Sequence, residues 1–336
     1  AVDSRGTMII TNSHFVGNVS TISLATQGGG AIFAWGGVQT ISDSVFKSNT
    51  ASTAVGGAIA IGNGAKLTVC NSIFGGVGEG NSAPLGGAIY NSSTTTITNS
   101  TFKNNTATNQ GGAIYNSATL NIVANGSIGT GLTEFTGNTQ GAVGSKVSNA
   151  VFNTATVNMN AGDGGVIRFN DKNQGGIFFV NQSGLKYADG SAIPTSGNII
   201  LNENLSAATL NIQNGTLILG EWLNNKLTNA AGTAASNQYM TGVTLNLNGG
   251  LLNMANGNNN DFLSVTTFTS NAAAKILFDI DLANNKNDYF TVTNNIALAN
   301  VLNVAGVNML SDDTDTTMTL FTGGLNKSPT LNAFNT

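Results

Sequence analysis

The sequence predicts an all-β solenoid of stacked parallel coils, and two recurring phrases carry the prediction. Gly-Gly-Ala-Ile occurs at Gly29-Gly30-Ala31-Ile32, Gly56-Gly57-Ala58-Ile59, Gly86-Gly87-Ala88-Ile89 and Gly111-Gly112-Ala113-Ile114. Between its copies runs Phe-x-x-Asn, at Phe15/Asn18, Phe46/Asn49, Phe102/Asn105 and Phe135/Asn138, with Phe74 standing in a copy that has lost its Asn. Phrases that alternate every 25 to 31 residues or so mark repeats that cannot bury an apolar face alone and must stack on their neighbours.

A longer alignment gives each repeat its geometry. Ile10 to Phe15, Ile41 to Phe46, Val69 to Phe74 and Ile97 to Phe102 superimpose without gaps. The aliphatic residue and the Phe stand an odd number of positions apart, which would put them on opposite faces of one straight strand. Both reach a core only if the chain bends between them, so each repeat reads as strand, corner, strand. The corner residues are Asn12-Ser13, Asp43-Ser44, Asn71-Ser72 and Asn99-Ser100, types that bond their own backbone and tolerate unusual dihedrals. Stacked in register, Asn12, Asp43, Asn71 and Asn99 would form a hydrogen-bonded amide ladder; the alternative is four turn residues facing water. With parallel strands about 4.8 Å apart, about twelve coils make a rod of roughly 60 Å.

The glycines of Gly-Gly-Ala-Ile supply positive φ or a close approach between coils, neither of which a residue with a Cβ allows cheaply. If Ile32, Ile59, Ile89 and Ile114 point inward, then Phe33, Ala60, Tyr90 and Tyr115 point outward in a column, a candidate binding stripe. The opposite register buries these aromatics in the core, and so short an alternation is compatible with both.

Composition agrees with a thin, continuous core. Charged residues are 8% of the chain, against a usual ~25%. There are 43 Gly but 3 Pro, together with about 50 Asn and about 40 Thr. Long helices are disfavoured by that mixture. A net charge of −4, with 12 Lys and Arg and no basic cluster, argues against nucleic acid or an anionic membrane surface as partner. Recognition would rest on aromatic, amide and hydroxyl groups, as suits a protein or a glycan. Cys70, the sole cysteine, falls in a slot held elsewhere by Thr11, Ser42 and Thr98. His14, the sole histidine, occupies a slot held by Val45, Ile73 and Thr101, so the chain holds no His-based triad or zinc cluster. Neither a cofactor nor a metal site is expected.

Gly-Gly-Ala-Ile interleaved with Phe-x-x-Asn resembles the passenger domains of chlamydial polymorphic membrane proteins and related type V autotransporters. Gly141-Ala142-Val143, Gly164-Gly165-Val166-Ile167 and Gly175-Gly176-Ile177 read as degenerate echoes of the phrase. The later segments Ile280-Asp281, Asn287 to Val292 and Leu298 to Val304 are similar to passenger coils that precede a membrane barrel. The resemblance implies a right-handed parallel β-helix divided into coils with intact phrases, 1–160, and degenerate coils, 161–336. It further implies an adhesin or antigen, displayed on the bacterial surface or released by processing, whose partners are a host-cell receptor or glycan and its own C-terminal outer-membrane barrel.

Two other readings stand beside the adhesin. One is an architectural spacer rod. The other is a β-helical polysaccharide lyase or hydrolase, which needs clustered carboxylates. Its best candidates are Asp279 and Asp281 on one strand face, with Asp288 carried near by the following turn. Strand alternation alone accounts for them as a solvated face, so no catalytic residue is expected. Asp312, Asp313 and Asp315 form an acidic loop that lacks the Gly and final Glu of a calcium loop.

Overall fold

Each coil is built from short strands because its corners return every few residues. The computed structural model describes residues 2–22, 27–62, 64–220, 222–223, 226–227, 238–257, 261–281, 286–298, 303–311 and 321–325. In the second coil the strands are Ile32–Ala34, Val38–Ser42, Val45–Lys47 and Thr50–Ala51. Every one of them pairs in parallel with its counterparts one coil before and one coil after. The fold is a parallel β-helix.

Three interior columns follow from the register. Ile32, Ile59, Ile89, Ile114 and Val151 are successive partners on one face. Ile41, Val69, Ile97, Ile122 and Met159 follow on the next. Phe15, Phe46, Phe74, Phe102, Phe135 and Phe169 fill the third, with ring centroids 4.7 to 4.8 Å apart. All but Phe15, in the first coil, are fully buried. The odd spacing between aliphatic residue and Phe is absorbed at the corner, where Asn12, Asp43, Asn71 and Asn99 take φ of 45° to 51°.

That left-handed turn corrects the ladder expected at the corner. Asn12, Asp43 and Asn71 point into solvent. The one link among them is a long bond from Asn71 Nδ2 to Asp43 Oδ1, 3.4 Å. The continuous amide ladder lies instead on the Phe-x-x-Asn phrase. Asn18, Asn49, Asn81 and Asn105 each donate from Nδ2 to the Oδ1 of the next coil's Asn, at 2.8 to 3.0 Å. Each of these Oδ1 atoms also accepts the preceding Asn's backbone N–H, which fixes the amide orientation. The Asn missing after Phe74 is therefore not lost. It is Asn81, displaced by the excursion Gly75 to Gly80, which turns through Gly75 and Gly78 at positive φ.

A second ladder runs through the corner serines. The N–H groups of Ser13, Ser44 and Ser72 each donate to the next coil's Ser Oγ at 3.1 Å. Each of those hydroxyls donates in turn to the carbonyl two residues before it.

The two glycines of the phrase serve different needs. Gly56, Gly86 and Gly111 have φ of 66°, 66° and 75°. At Gly57 a Cβ would lie 2.0 Å from the Gly87 carbonyl oxygen, a clash between backbones of adjacent coils.

Past residue 140 the architecture changes. The third small sheet, which begins at Val19–Ser20, ends where Val147–Ser148 pairs antiparallel with Thr139–Gln140. The expected echoes of the phrase fall elsewhere. Gly141 to Val143 lie in the excursion between those two strands, Val166–Phe169 joins the Phe sheet, and Ile177 pairs with Thr156. Asn149-Ala150-Val151 continues the phrase, since Ala150 O accepts the N–H of both Ala113 and Ile114. From Gln238–Leu247 on, two short strands of the long sheet merge into one, because that strand pairs with both Leu205 and Thr209–Ile212.

One excursion lies across the outside. Residues 182–196 turn back at a Lys186/Ala192 bridge. Pro194 packs on Gly162, and Asn160 Nδ2 donates to Gln182 O. The Tyr187 hydroxyl is buried on the side of Asn125 and Thr98, with no hydrogen bond to either. Val123, next to the inward Ile122 on its strand, is fully buried on this covered face.

Candidate functional site

The aromatic column stands on the outer side of the sheet whose inner side carries the Ile column. Ile32, Ile59, Ile89 and Ile114 are all in the core. Phe33, Ala60, Tyr90, Tyr115 and Phe152 are successive register partners behind them. Of the two registers left open by the sequence, the structure takes the outward one. Tyr90 and Tyr115 stack at 5.4 Å and 5°, and Tyr115 and Phe152 at 5.7 Å and 8°. Val55 and Leu85, each just before the first glycine of its phrase, flank the stripe in a small apolar cluster with Phe33, Ala60, Tyr90 and Tyr115.

Exposure is graded along the stripe. Tyr90 retains 8% of its surface, while Phe33, Tyr115 and Phe152 are half-buried. Burial pushes the Tyr90 hydroxyl's pKa up, against a counteracting hydrogen bond with Ser117. Trp35 is 44% exposed and tilted 52° from Phe33, with its ring laid over Gly62, where a Cβ would meet Cε3 at 2.4 Å. Sequence reasoning named Phe33, Tyr90 and Tyr115 but missed Trp35 and Phe152. Phe152 was legible as the residue after Ala150-Val151 once that pair is aligned with Ala113-Ile114. Trp35 follows the repeat unit and carries no repeat signal.

The geometry limits what the stripe can do. Rings stacked along the rod cover one another's faces and present mainly edges to the outside, where the aromatic quadrupole is positive. Trp35, tilted and at the end of the row, is the member with the greatest exposure.

The carboxylates are not where alternation puts them. Asp279 is fully buried rather than solvated, and it neighbours Phe278, which is buried too. The cause is a hairpin: Lys286–Asn287 folds back antiparallel on Lys275–Asp281 and carries Asp288 over the strand. Asp288 Oδ2 accepts the Asp279 N–H at 2.7 Å, and Asp288 Oδ1 accepts the Asp261 N–H at 3.1 Å. Asp279 Oδ2 accepts the Gly257 N–H at 2.6 Å. Burial first, then the charges of Asp261 and Asp279, push Asp288 up to about 9. The side chain of Asp281, and Asp312, Asp313 and Asp315, lie outside the described residues.

His14 is exposed, in register with Val45. Cys70 is half-buried between Ser42 and Thr98, and burial raises its thiol pKa, with Asp43 adding to the rise. Both fit variable repeat positions.

These observations define a class: a parallel β-helix stitched by amide and hydroxyl ladders, with an aromatic stripe on its outside. The family model for the Chlamydia polymorphic membrane protein (Chlamydia_PMP) repeat matches residues 99–117. That span runs from the corner Asn99 through Phe102 and Asn105 to Gly-Gly-Ala-Ile and Ser117, so it covers about one coil of the kind the register repeats on either side. Comparison with curated proteins and with solved structures finds no match. Among the described residues no helix is long and apolar enough to cross a membrane, which says nothing of strands.

Proposed function

We propose that this chain is the passenger of a bacterial autotransporter, held at the cell surface by a C-terminal outer-membrane barrel or released by processing, and that it acts as an adhesin toward a host-cell receptor. The repeat matched at residues 99–117 supports the surface setting. The observation that carries the binding reading is the outward aromatic row Phe33, Trp35, Tyr90, Tyr115 and Phe152, since aromatic residues are favoured at recognition surfaces.

The receptor is a protein rather than a glycan. Sugars stack on ring faces, and between Tyr90 and Phe152 those faces are already taken by neighbouring rings. Ring edges and the Tyr hydroxyls suit the carbonyl and carboxylate oxygens of a polypeptide.

The test is binding of the purified chain to host cells, with Trp35→Ala and Tyr115→Ala combined in one variant. The expected result is a loss of about tenfold or more in affinity, with added glycans not competing. Undiminished binding by the variant removes the stripe from the reading. Full competition by a glycan replaces the protein receptor.

A further inference from the structure

Asn-Gly recurs at Asn63-Gly64, Asn125-Gly126, Asn214-Gly215, Asn248-Gly249 and Asn256-Gly257. In this dipeptide the glycine nitrogen can reach the preceding side-chain carbonyl carbon, and the missing Cβ leaves its approach unhindered. Attack there needs a base on the main-chain N–H, as a weak nucleophile generally does. Gly257 has one. Its N–H donates to Asp279 Oδ2 at 2.6 Å, while Asn256 Nδ2 donates to Asp261 Oδ2 at 2.5 Å. Among the described residues no carboxylate accepts the N–H of Gly126, Gly215 or Gly249; Asn63 lies outside them.

The fold builds this contact from three neighbours. The Asn253 side chain accepts the Ala255 N–H and closes a turn at the end of Leu251–Asn253. Lys275–Asp281, from the next coil, pairs with that strand and brings Asp279 alongside Gly257. Asp288 accepts the N–H of both Asp279 and Asp261, so one side chain fixes the two carboxylate-bearing residues. Asp261 and Asp279 are fully buried and Asn256 nearly so, whereas Gly257 is exposed.

We propose that Asn256-Gly257 is a self-modification site, at which the chain deamidates through a five-membered imide with Asp279 as base and Asp261 holding the departing amide nitrogen. Asp279 takes the Gly257 proton as that nitrogen bonds to Asn256 Cγ. The bond from Cγ to Nδ2 then breaks, and ammonia leaves with the proton that Gly257 gave up, so both carboxylates end as they began. Water reaches the imide from the exposed Gly257 side and adds to either carbonyl. Breaking the bond from Cγ to the Gly257 nitrogen gives aspartate, and breaking the original main-chain bond gives isoaspartate. A main-chain nitrogen losing its proton is a nucleophile and not a leaving group, so the same contacts argue against chain cleavage. The effect on the rod is local. Asn256 Nδ2 also donates to Leu219 O at 2.8 Å; either product lacks that donor and sets a new carboxylate beside Asp261, which loosens this coil and leaves distant ones intact.

The experiment is incubation of the folded whole chain in neutral buffer, followed by mass-spectrometric peptide mapping for amide-to-acid conversion and isoaspartate. Asn256 is expected to convert at least about tenfold faster than Asn125, Asn214 and Asn248 in the same molecule. In urea the wild type should lose that advantage, since the carboxylates are then no longer held in place. Asp279→Asn, with its β-type circular dichroism checked, should slow Asn256 about tenfold or more and leave the other three unchanged. A folded rate at Asn256 no faster than at the other three overturns the proposal without any variant having to fold. So does an advantage that persists in urea, an unchanged rate in folded Asp279→Asn, or the appearance of fragments ending at Asn256, which would make the reaction a cleavage. Cell binding is not read in any arm, so the outcome is independent of the adhesin reading.

Discussion

Replacing Phe74 by Ala would remove the middle of the aromatic stack. Its ring is fully buried between Phe46 at 4.8 Å and Phe102 at 4.7 Å. Burying such a ring stabilises by about 2 to 3 kcal/mol, and each aromatic contact adds about 0.5 to 1.5 kcal/mol. The walls cannot close on the gap. Ile73 is held in register by Val45 and Thr101, and the serine and amide ladders on either side fix the coil spacing. The expected loss is therefore about 3 to 5 kcal/mol, in the range of Phe→Ala cavities that do not collapse. Phe15→Ala is the internal control: one stacked neighbour and a half-buried ring predict about 1.5 to 3 kcal/mol. Urea unfolding followed by circular dichroism measures both, and hydrogen exchange at 45–47 and 101–103 locates the damage. Equal losses for the two variants, or less than about 1 kcal/mol for Phe74→Ala, would refute the argument that ladder-held coils keep the cavity open.

Three further outcomes are expected. Asn105→Leu strips the acceptor from the Asn81 N–H and amide and the donor from Phe74 O and Asn138 Oδ1; with buried polar groups left unmet, unfolding experiments should show a loss of at least about 3 kcal/mol. Gly57→Ala puts a methyl 2.0 Å from the Gly87 oxygen and should abolish β-type circular dichroism in coils that fold normally with Gly78→Ala, where the added Cβ meets nothing and the penalty is that of positive φ alone. Because solenoid contacts are local, residues 1–160 and 161–336 should each fold if capped, and adhesion should reside in the first; equal adhesion by the second would take the weight off the repeated phrases.

Much of the fold was legible because it is written in local period. The Phe column and the corner between Ile41 and Phe46 follow from phrase spacing and strand alternation, whereas Phe33, Tyr90 and Tyr115 face outward in one of two registers that alternation leaves open. What failed did so for a shared reason. Gap-free alignment points to a ladder at Asn12, Asp43, Asn71 and Asn99, yet alignment says nothing about where an αL corner aims its side chain. The ladder that exists joins residues 24 apart at Asn81 and Asn105 and 33 apart at Asn105 and Asn138, a variation that hides it from any fixed period. Alternation puts Asp279 in solvent, and the hairpin that carries Asp288 buries it.

The sequence by itself determined that this chain must stack. Its apolar residues recur once per coil, and no repeat holds enough of them to fold alone. Tertiary structure decided which polar groups meet between coils, because those neighbours are joined through space along the rod axis by excursions of unequal length. It also decided that the amide ladder passes into buried acid at Asp171, since burial belongs to the surroundings of a side chain and not to its place in a phrase.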